Sequence, residues 1–329
     1  MINIAIIGFG FMGFTHAVNI IRNKKLSLRA IITRDVRSVA DKLNGQTGNF
    51  SSGEIDAPAI LNVPVYKTLH ECLKNEKIDA VNICVHTDLH YEIAAEAMSC
   101  GLHVFIEKPF CLRLEEGRLL IALARDRKVK LMVGHVVRFM SPYRTLKEWI
   151  DNRQFGALKF ISLTRFTGLP SWGQWKEKQQ KFGSSGGALF DLVIHDIDFL
   201  NYVLGAPLKI ESTCHRGALS SQDYVSAHWY FNDVRAKIEG GNTFHSTFPF
   251  QAGYMAEFGN ASVGYSSRWP GFIQICDNEK AHEIPAGDAS DGFYQEIEYF
   301  TNCIENDEEP LQCTPASSLK TIELCYDHL

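Results

Sequence analysis

One segment constrains this chain more than any other. Gly8-Phe9-Gly10-Phe11-Met12-Gly13 reads G-x-G-x-x-G, directly after the apolar run 2–7 and directly before a helical pattern at 15–22. Three glycines at that spacing allow a tight turn, a close approach of backbone to a pyrophosphate, and close packing of helix on strand, with the anion over the helix N-terminus. Short apolar runs at 28–32, 80–84, 104–106 and 130–133 continue the pattern, separated by helical stretches at 36–43, 91–100 and 114–127. Continuous apolar strands divided by helices mark a parallel sheet covered on both faces. Residues 1–134 are therefore expected to form a doubly wound, dinucleotide-binding Rossmann domain.

After Gly134 the pattern changes. Runs at 158–166, 224–231, 234–240, 253–258 and 261–265 read as antiparallel strands joined by turns, with helices at 188–204 and after Thr314-Pro315. The expectation is an α/β protein whose second domain, 135–329, is α+β, built on a large, mainly antiparallel open sheet, and carries substrate binding and oligomerisation. The C-terminal helix is expected to be able to pack back on the first domain. The polar stretch 44–56 reads as an exposed loop without chemistry. A length of 329 residues suits two domains, and 45% hydrophobic with 22% charged residues excludes disorder. The net charge of −5, with no basic stripe, excludes nucleic acid as a partner. No apolar run approaches the roughly 18 residues of a membrane span, and no signal segment is visible. Nine cysteines without a C-x-x-C pair fit a reduced, cytoplasmic setting.

Three further places can carry chemistry. At the tip of the second strand an NAD site usually has an acidic residue for the ribose hydroxyls, but here Thr33 and Arg34 stand there, with Arg37 near. A guanidinium pairs with a 2′-phosphate, so the reading leans to NADP over NAD, with Asp35 as the alternative reader of the ribose. Glu107-Lys108-Pro109 follows the fifth strand, which puts Lys108 at the carboxyl end of a parallel sheet, where ligands bind. Pro109 also permits a cis peptide. Within 188–204, Asp191, His195, Asp198 and Tyr202 recur at i, i+4, i+7 and i+11 as a polar line on an apolar helix, and Asp191 is placed to orient His195. No metal is expected, because neither His195 with its aspartates nor His86 with His90 has a third ligand.

Together, G-x-G-x-x-G, Glu-Lys-Pro and G-G-x-x-x-D-x-x-x-H-x-x-D over 186–198 resemble the glucose-fructose oxidoreductase/inositol dehydrogenase (Gfo/Idh/MocA) family along essentially the whole chain. The segment 84–90 resembles that family's Ser-Thr-Pro-x-x-x-His loop, with His86 and Thr87 where Thr-Pro often occurs. The resemblance implies a cofactor site made by Gly8, Gly10, Phe11, Met12, Gly13, Thr33, Arg34, His86, Thr87, His90, Glu107 and Lys108. It implies that Lys108 bonds the reacting hydroxyl, that His195 is the general acid/base and that Asp191 positions substrate or histidine. Substrates would be sugars, cyclitols or their derivatives, with Arg138 and Trp172, and near them Gln174 and Trp175, as further contacts. A homo-oligomer, dimer or tetramer, would form through the C-terminal sheet. Two other functions share these features: an NAD-dependent glycoside hydrolase and a non-catalytic sensor of dinucleotide or sugar. The presence of both Lys108 and His195 speaks against the sensor.

Overall fold

A computed structural model of the chain describes residues 1–34, 39, 57–169 and 187–329. These form two compact units, Met1–Val136 with Phe293–Leu319, and Val137–Gly292 with Lys320–Leu329. Neither unit is a single stretch of chain, because the segment Phe293–Leu319 returns to the first. No helix among the described residues is long and apolar enough to cross a membrane.

The first unit holds six parallel strands, β1 (Ile2–Ile7), β2 (Leu26–Ile32), β3 (Val65–Tyr66), β4 (Ala80–Ile83), β5 (His103–Glu107) and β6 (Leu131–Gly134), in the order β3-β2-β1-β4-β5-β6. The order reverses between β1 and β4, and the crevice beyond the strand ends at such a reversal is where open α/β sheets bind ligands. β4 is buried throughout and β5 nearly so, which explains their unbroken apolar runs. The strand β3 and the helices Ala57–Leu61 and Leu69–Asn75 have no counterpart in the sequence reading, since two- to seven-residue elements are too short to show a period. The second of these helices still has a legible start: Thr68 Oγ1 accepts the Glu71 N–H at 3.1 Å, while Glu71 Oε2 accepts the Lys67 N–H at 3.0 Å. The helical pattern at 36–43, apart from Val39, and the loop 44–56 lie outside the described residues.

The second unit is built on eight strands. β7 (Leu158–Gly168) lies among β8 (Lys209–His215), β9 (Tyr224–Tyr230), β10 (Arg235–Phe244), β11 (Gln251–Phe258), β12 (Ser262–Ser266), β13 (Phe272–Cys276) and β14 (Ala281–Pro285), in the order β14-β13-β12-β11-β7-β10-β9-β8. All pairs are antiparallel except β7 with β10. One face is apolar, with Ile161, Leu163, Val225, Ala227, Trp229, Ile238 and Tyr254 buried. Tyr143, on the helix Ser141–Asp151, packs edge-on against Tyr254 and Phe199, with ring centroids 5.4 and 5.1 Å apart. The polar edge strand β8, half-exposed or exposed along its length, escaped the sequence reading because it lacks the apolar alternation that marks a strand with one buried face.

Candidate active site

The glycine turn joins β1 to the helix α1 (Phe11–Arg22), and each glycine meets a different demand. Gly8 has φ +92, and a side chain there would meet the Cys84 carbonyl oxygen at 2.6 Å. A Cβ on Gly13 would lie 2.1 Å from the Gly8 carbonyl oxygen, so helix and turn pack at a distance only hydrogen fits. At Gly10 the same construction meets no atom within 4 Å, and that side of the turn is open. Gly10 caps α1 without a side-chain bond, and the first helical turn carries no acidic residue. The positive end of the helix therefore has no carboxylate of its own in that turn, which suits a phosphate. Phe11 and Met12 are half-buried where α1 begins.

At the tip of β2, the Thr33 N–H donates to the Tyr66 carbonyl at 2.9 Å, which ties this end of the strand to β3. Thr33 is half-buried and Arg34 exposed, whereas Asp35 and Arg37 lie outside the described residues. In the segment after β4, exposed His86 precedes a short 3-10 turn, Thr87–Leu89, in which Thr87 is buried. His90 is fully buried, with Nδ1 2.9 Å from the Pro109 carbonyl oxygen and Nε2 3.2 Å from that of Val85. A neutral ring can donate to one of these carbonyls and a charged ring to both. Burial favours the neutral form and lowers the ring's pKa, against the pull of the carbonyls. His90 thus ties the two loops together and has both ring nitrogens committed to main chain, rather than offering them to a cofactor.

The Lys108–Pro109 peptide is cis, as the sequence permits. Lys108 is half-buried at the end of β5, and its N–H donates to Glu107 Oε2 at 3.1 Å. The other oxygen, Glu107 Oε1, lies 2.8 Å from His16 Nε2. Behind His16 the chain of bonds continues: Asn82 Nδ2 is 2.8 Å from His16 Nδ1, and the Cys84 thiol donates to Asn82 Oδ1 at 3.3 Å. Since the Asn82 oxygen is taken by the thiol, its NH₂ faces His16 Nδ1, which accepts, and the ring proton sits on Nε2 facing Glu107. Burial pushes the Glu107 carboxyl up, but the hydrogen bond from His16, followed by the Lys108 charge and N–H, outweighs it and holds the group below the usual carboxylate range. His16 and Asn82 were not singled out in the sequence; the available signal was a polar residue in an otherwise apolar stretch of α1 or β4.

In the second unit, Gly187 has φ +73, and the chain then enters a π-helical turn, Leu189–Val193, before the α-helix Ile194–Leu204. Asp191 lies in the wide turn and His195 in the first α-turn, both half-buried. Such widened turns recur at functional sites, where they re-aim side chains. The wide turn departs from the regular helical spacing at Asp191, whereas His195, Asp198 and Tyr202 lie in the α-helix that follows. Asp198 is fully buried and takes Arg138 in a two-pronged ion pair, at 2.7 and 2.6 Å, together with the Thr321 hydroxyl at 2.8 Å. Arg138 is likewise buried, so the expected polyol contact becomes a structural pair, with the guanidinium also 4.7 Å from the Tyr202 ring centre. Asp196, unremarked in the sequence, makes a second buried pair with Arg165 at 3.0 and 2.9 Å. Trp172, Gln174 and Trp175 lie outside the described residues.

A six-stranded Rossmann sheet with an open glycine turn at its order reversal, together with a second unit built on an eight-stranded sheet, defines the class of two-domain, dinucleotide-binding oxidoreductases. The chain belongs to the GFO/IDH/MocA family within that class: residues 2–135 match the oxidoreductase family's NAD-binding Rossmann fold, and residues 143–252 match the GFO/IDH/MocA C-terminal domain. It is 25% identical to scyllo-inositol 2-dehydrogenase (NAD(+)) of Bacillus subtilis over 322 residues, covering 93% of this chain and 87% of that one. It is 29% identical to the uncharacterized oxidoreductase sll0816 of Synechocystis over 209 residues, 62% of this chain, and that match spans only about half, 52%, of the relative's length. Among solved structures, UDP-N-acetylglucosamine 3-dehydrogenase GnnA of Acidithiobacillus ferrooxidans superposes with a TM-score of 0.79 at 20% identity, covering 99% of this chain and 96% of that one. At that identity the likeness shows the shared fold.

Proposed function

We propose that this chain is an NAD(P)-dependent dehydrogenase or reductase that acts on a CH–OH carbon of a sugar, cyclitol or sugar derivative. The observation that carries the proposal is the anchored Lys108 turn, an ammonium at the carboxyl end of a Rossmann strand whose backbone is fixed through Glu107 and His16. Relatives named as inositol and UDP-N-acetylglucosamine dehydrogenases support the substrate class. The residues that would hold the dinucleotide are Gly8, Gly10, Phe11, Met12, Gly13, Thr33, Arg34, His86, Thr87, Glu107 and Lys108, and the open side of Gly10 fits a pyrophosphate there. When bound, nicotinamide supplies the acceptor or donor of hydride.

The chain's own residues then manage charge and proton. Lys108 stabilises the developing alkoxide, or polarises the carbonyl in the reverse direction. His195 takes the hydroxyl proton and returns it, and Asp191 orients substrate or imidazole. Arg34, exposed beside Thr33, favours NADP through a forked contact with the 2′-phosphate. A reducing, cytoplasmic setting is assigned to the chain, consistent with nine cysteines that include no C-x-x-C pair. The outer face of the open sheet, where Met255 is 64% exposed, is assigned to dimer or tetramer contacts. A screen of cofactor reduction over inositols, sugars and nucleotide sugars tests the proposal, and glycoside cleavage without net reduction would instead favour the hydrolase.

A further inference from the structure

Glu296 is an acid in the wrong surroundings. It lies on the helix Gly292–Glu305 between Phe293 and Phe300, on the face that also buries Ile297, and it is 0% exposed. Neither carboxyl oxygen has a hydrogen-bond partner among the described residues. The surroundings are aromatic: the His16 ring sits 5.5 Å from Phe105 and 6.1 Å from Phe293, and Phe105 is 5.6 Å from Phe300. Glu296, Glu107 and His16 each bring one polar atom into a group within 4.8 Å of one another.

Two carboxyls so close and so dry need a positive charge between them, either a divalent cation or a proton. The hydrogen bonds decide for the proton. A metal would need the lone pair of His16 Nε2, yet Asn82 leaves the ring proton on that nitrogen and directs it to Glu107. Glu107 accepts at both oxygens, as an ionised carboxylate does, so the shared proton belongs on Glu296.

We propose that Glu296 is a neutral, proton-bearing acid at physiological pH, so that Glu107 alone carries the charge of the pair and goes on accepting the Lys108 N–H. Its functional meaning rests on the role given to Lys108 above. The other groups bearing on the pair agree. Burial, then the Glu107 charge, holds Glu296 well above the usual carboxylate range. The Cys84 thiol, pushed well up by burial and then by both glutamates, brings no further charge. His16 and Lys108 act on the Glu107 side.

A carboxyl with a raised pKa in the folded state costs the native protein stability as pH climbs above its unfolded value of about 4.3. Glu296→Gln keeps the shape and a donor but cannot titrate. Thermal midpoints of the full chain without substrate, from about pH 5 to about pH 8, should show E296Q gaining on wild type by on the order of 3 °C per pH unit. Glu296→Met is neutral as well, so the Lys108 backbone amide resonance near neutral pH should stay in place in E296Q and E296M alike; if E296M does not fold, E296Q alone gives this reading. An E296Q advantage that is flat or falls with pH overturns the proton. So does a stoichiometric divalent ion in purified wild type that E296Q loses. A Lys108 resonance that moves near neutral pH in the neutral variants also overturns it, because a charge beside Glu107 would then have been removed. None of these readings uses turnover, so an inactive protein with the expected slope would count against the dehydrogenase and not against Glu296.

Discussion

In the proposed mechanism Lys108, His195 and Arg34 each answer a separate chemical demand, and each can be removed separately. His195→Ala takes away the proton acceptor and leaves the glycine turn untouched, so kcat should fall by about 10²-fold or more while cofactor affinity stays near wild type. Steady-state kinetics beside a cofactor titration checks this, and near-wild-type turnover would remove His195 from the mechanism. Arg34→Ala should weaken NADP roughly tenfold or more and leave NAD almost unaffected, because a charge-assisted forked contact is worth on the order of 1.5–3 kcal/mol. Calorimetric titration of both cofactors reads it directly. Equal weakening of both would hand the ribose to Asp35 or to main chain. At this scale the sequence was legible where a residue's type is itself unusual for its place, as with Lys108 at a strand end. It was illegible where the meaning comes from a distant partner. Arg138 reads as a substrate contact and Asp198 as one member of a polar line until the fold pairs them at 2.6 Å, and nothing near Glu296 in sequence announces Glu107.

Among the elements, the β1–α1 unit is the most readable, since the spacing of its glycines is itself the signal, and Gly13 packs on the Gly8 carbonyl five residues before it. Gly13→Ala should therefore cost about 1–3 kcal/mol, because the added methyl meets a carbonyl oxygen that only a backbone shift can move. The shift would also disturb the anion end of the helix, so cofactor affinity should drop along with the thermal midpoint. A Gly13→Ala protein as stable as wild type, with unchanged cofactor binding, would contradict the packing role. Other elements left weaker traces. The two residues of β3 carry no period, and the parallel pairing of β7 with β10 has no local signature, because strand direction is set by the connection and not by side-chain alternation. The π-turn at Leu189–Val193 leaves no trace in the sequence either, because the apolar pattern of the segment reads as regular helix.

For the whole molecule, the class of each unit is legible in its hydrophobic period, continuous in the first and alternating in the second. It did not show that Phe293–Leu319 belongs with the Rossmann unit, since chain return is a matter of long-range packing. That return is what brings a buried acid to the Lys108 end of β5, so the least legible feature of the fold touches the proposed chemistry most closely. Hydride transfer at a polyol carbon assisted by Lys108 is measured as nicotinamide reduction by the purified protein, followed by absorbance over inositols, sugars and nucleotide sugars, with Lys108→Met alongside. Reduction stoichiometric with oxidised polyol is expected for one of these substrates, as is its collapse in Lys108→Met with the circular dichroism spectrum unchanged. Cleavage of a glycoside without net reduced cofactor, or full activity in Lys108→Met, would contradict it.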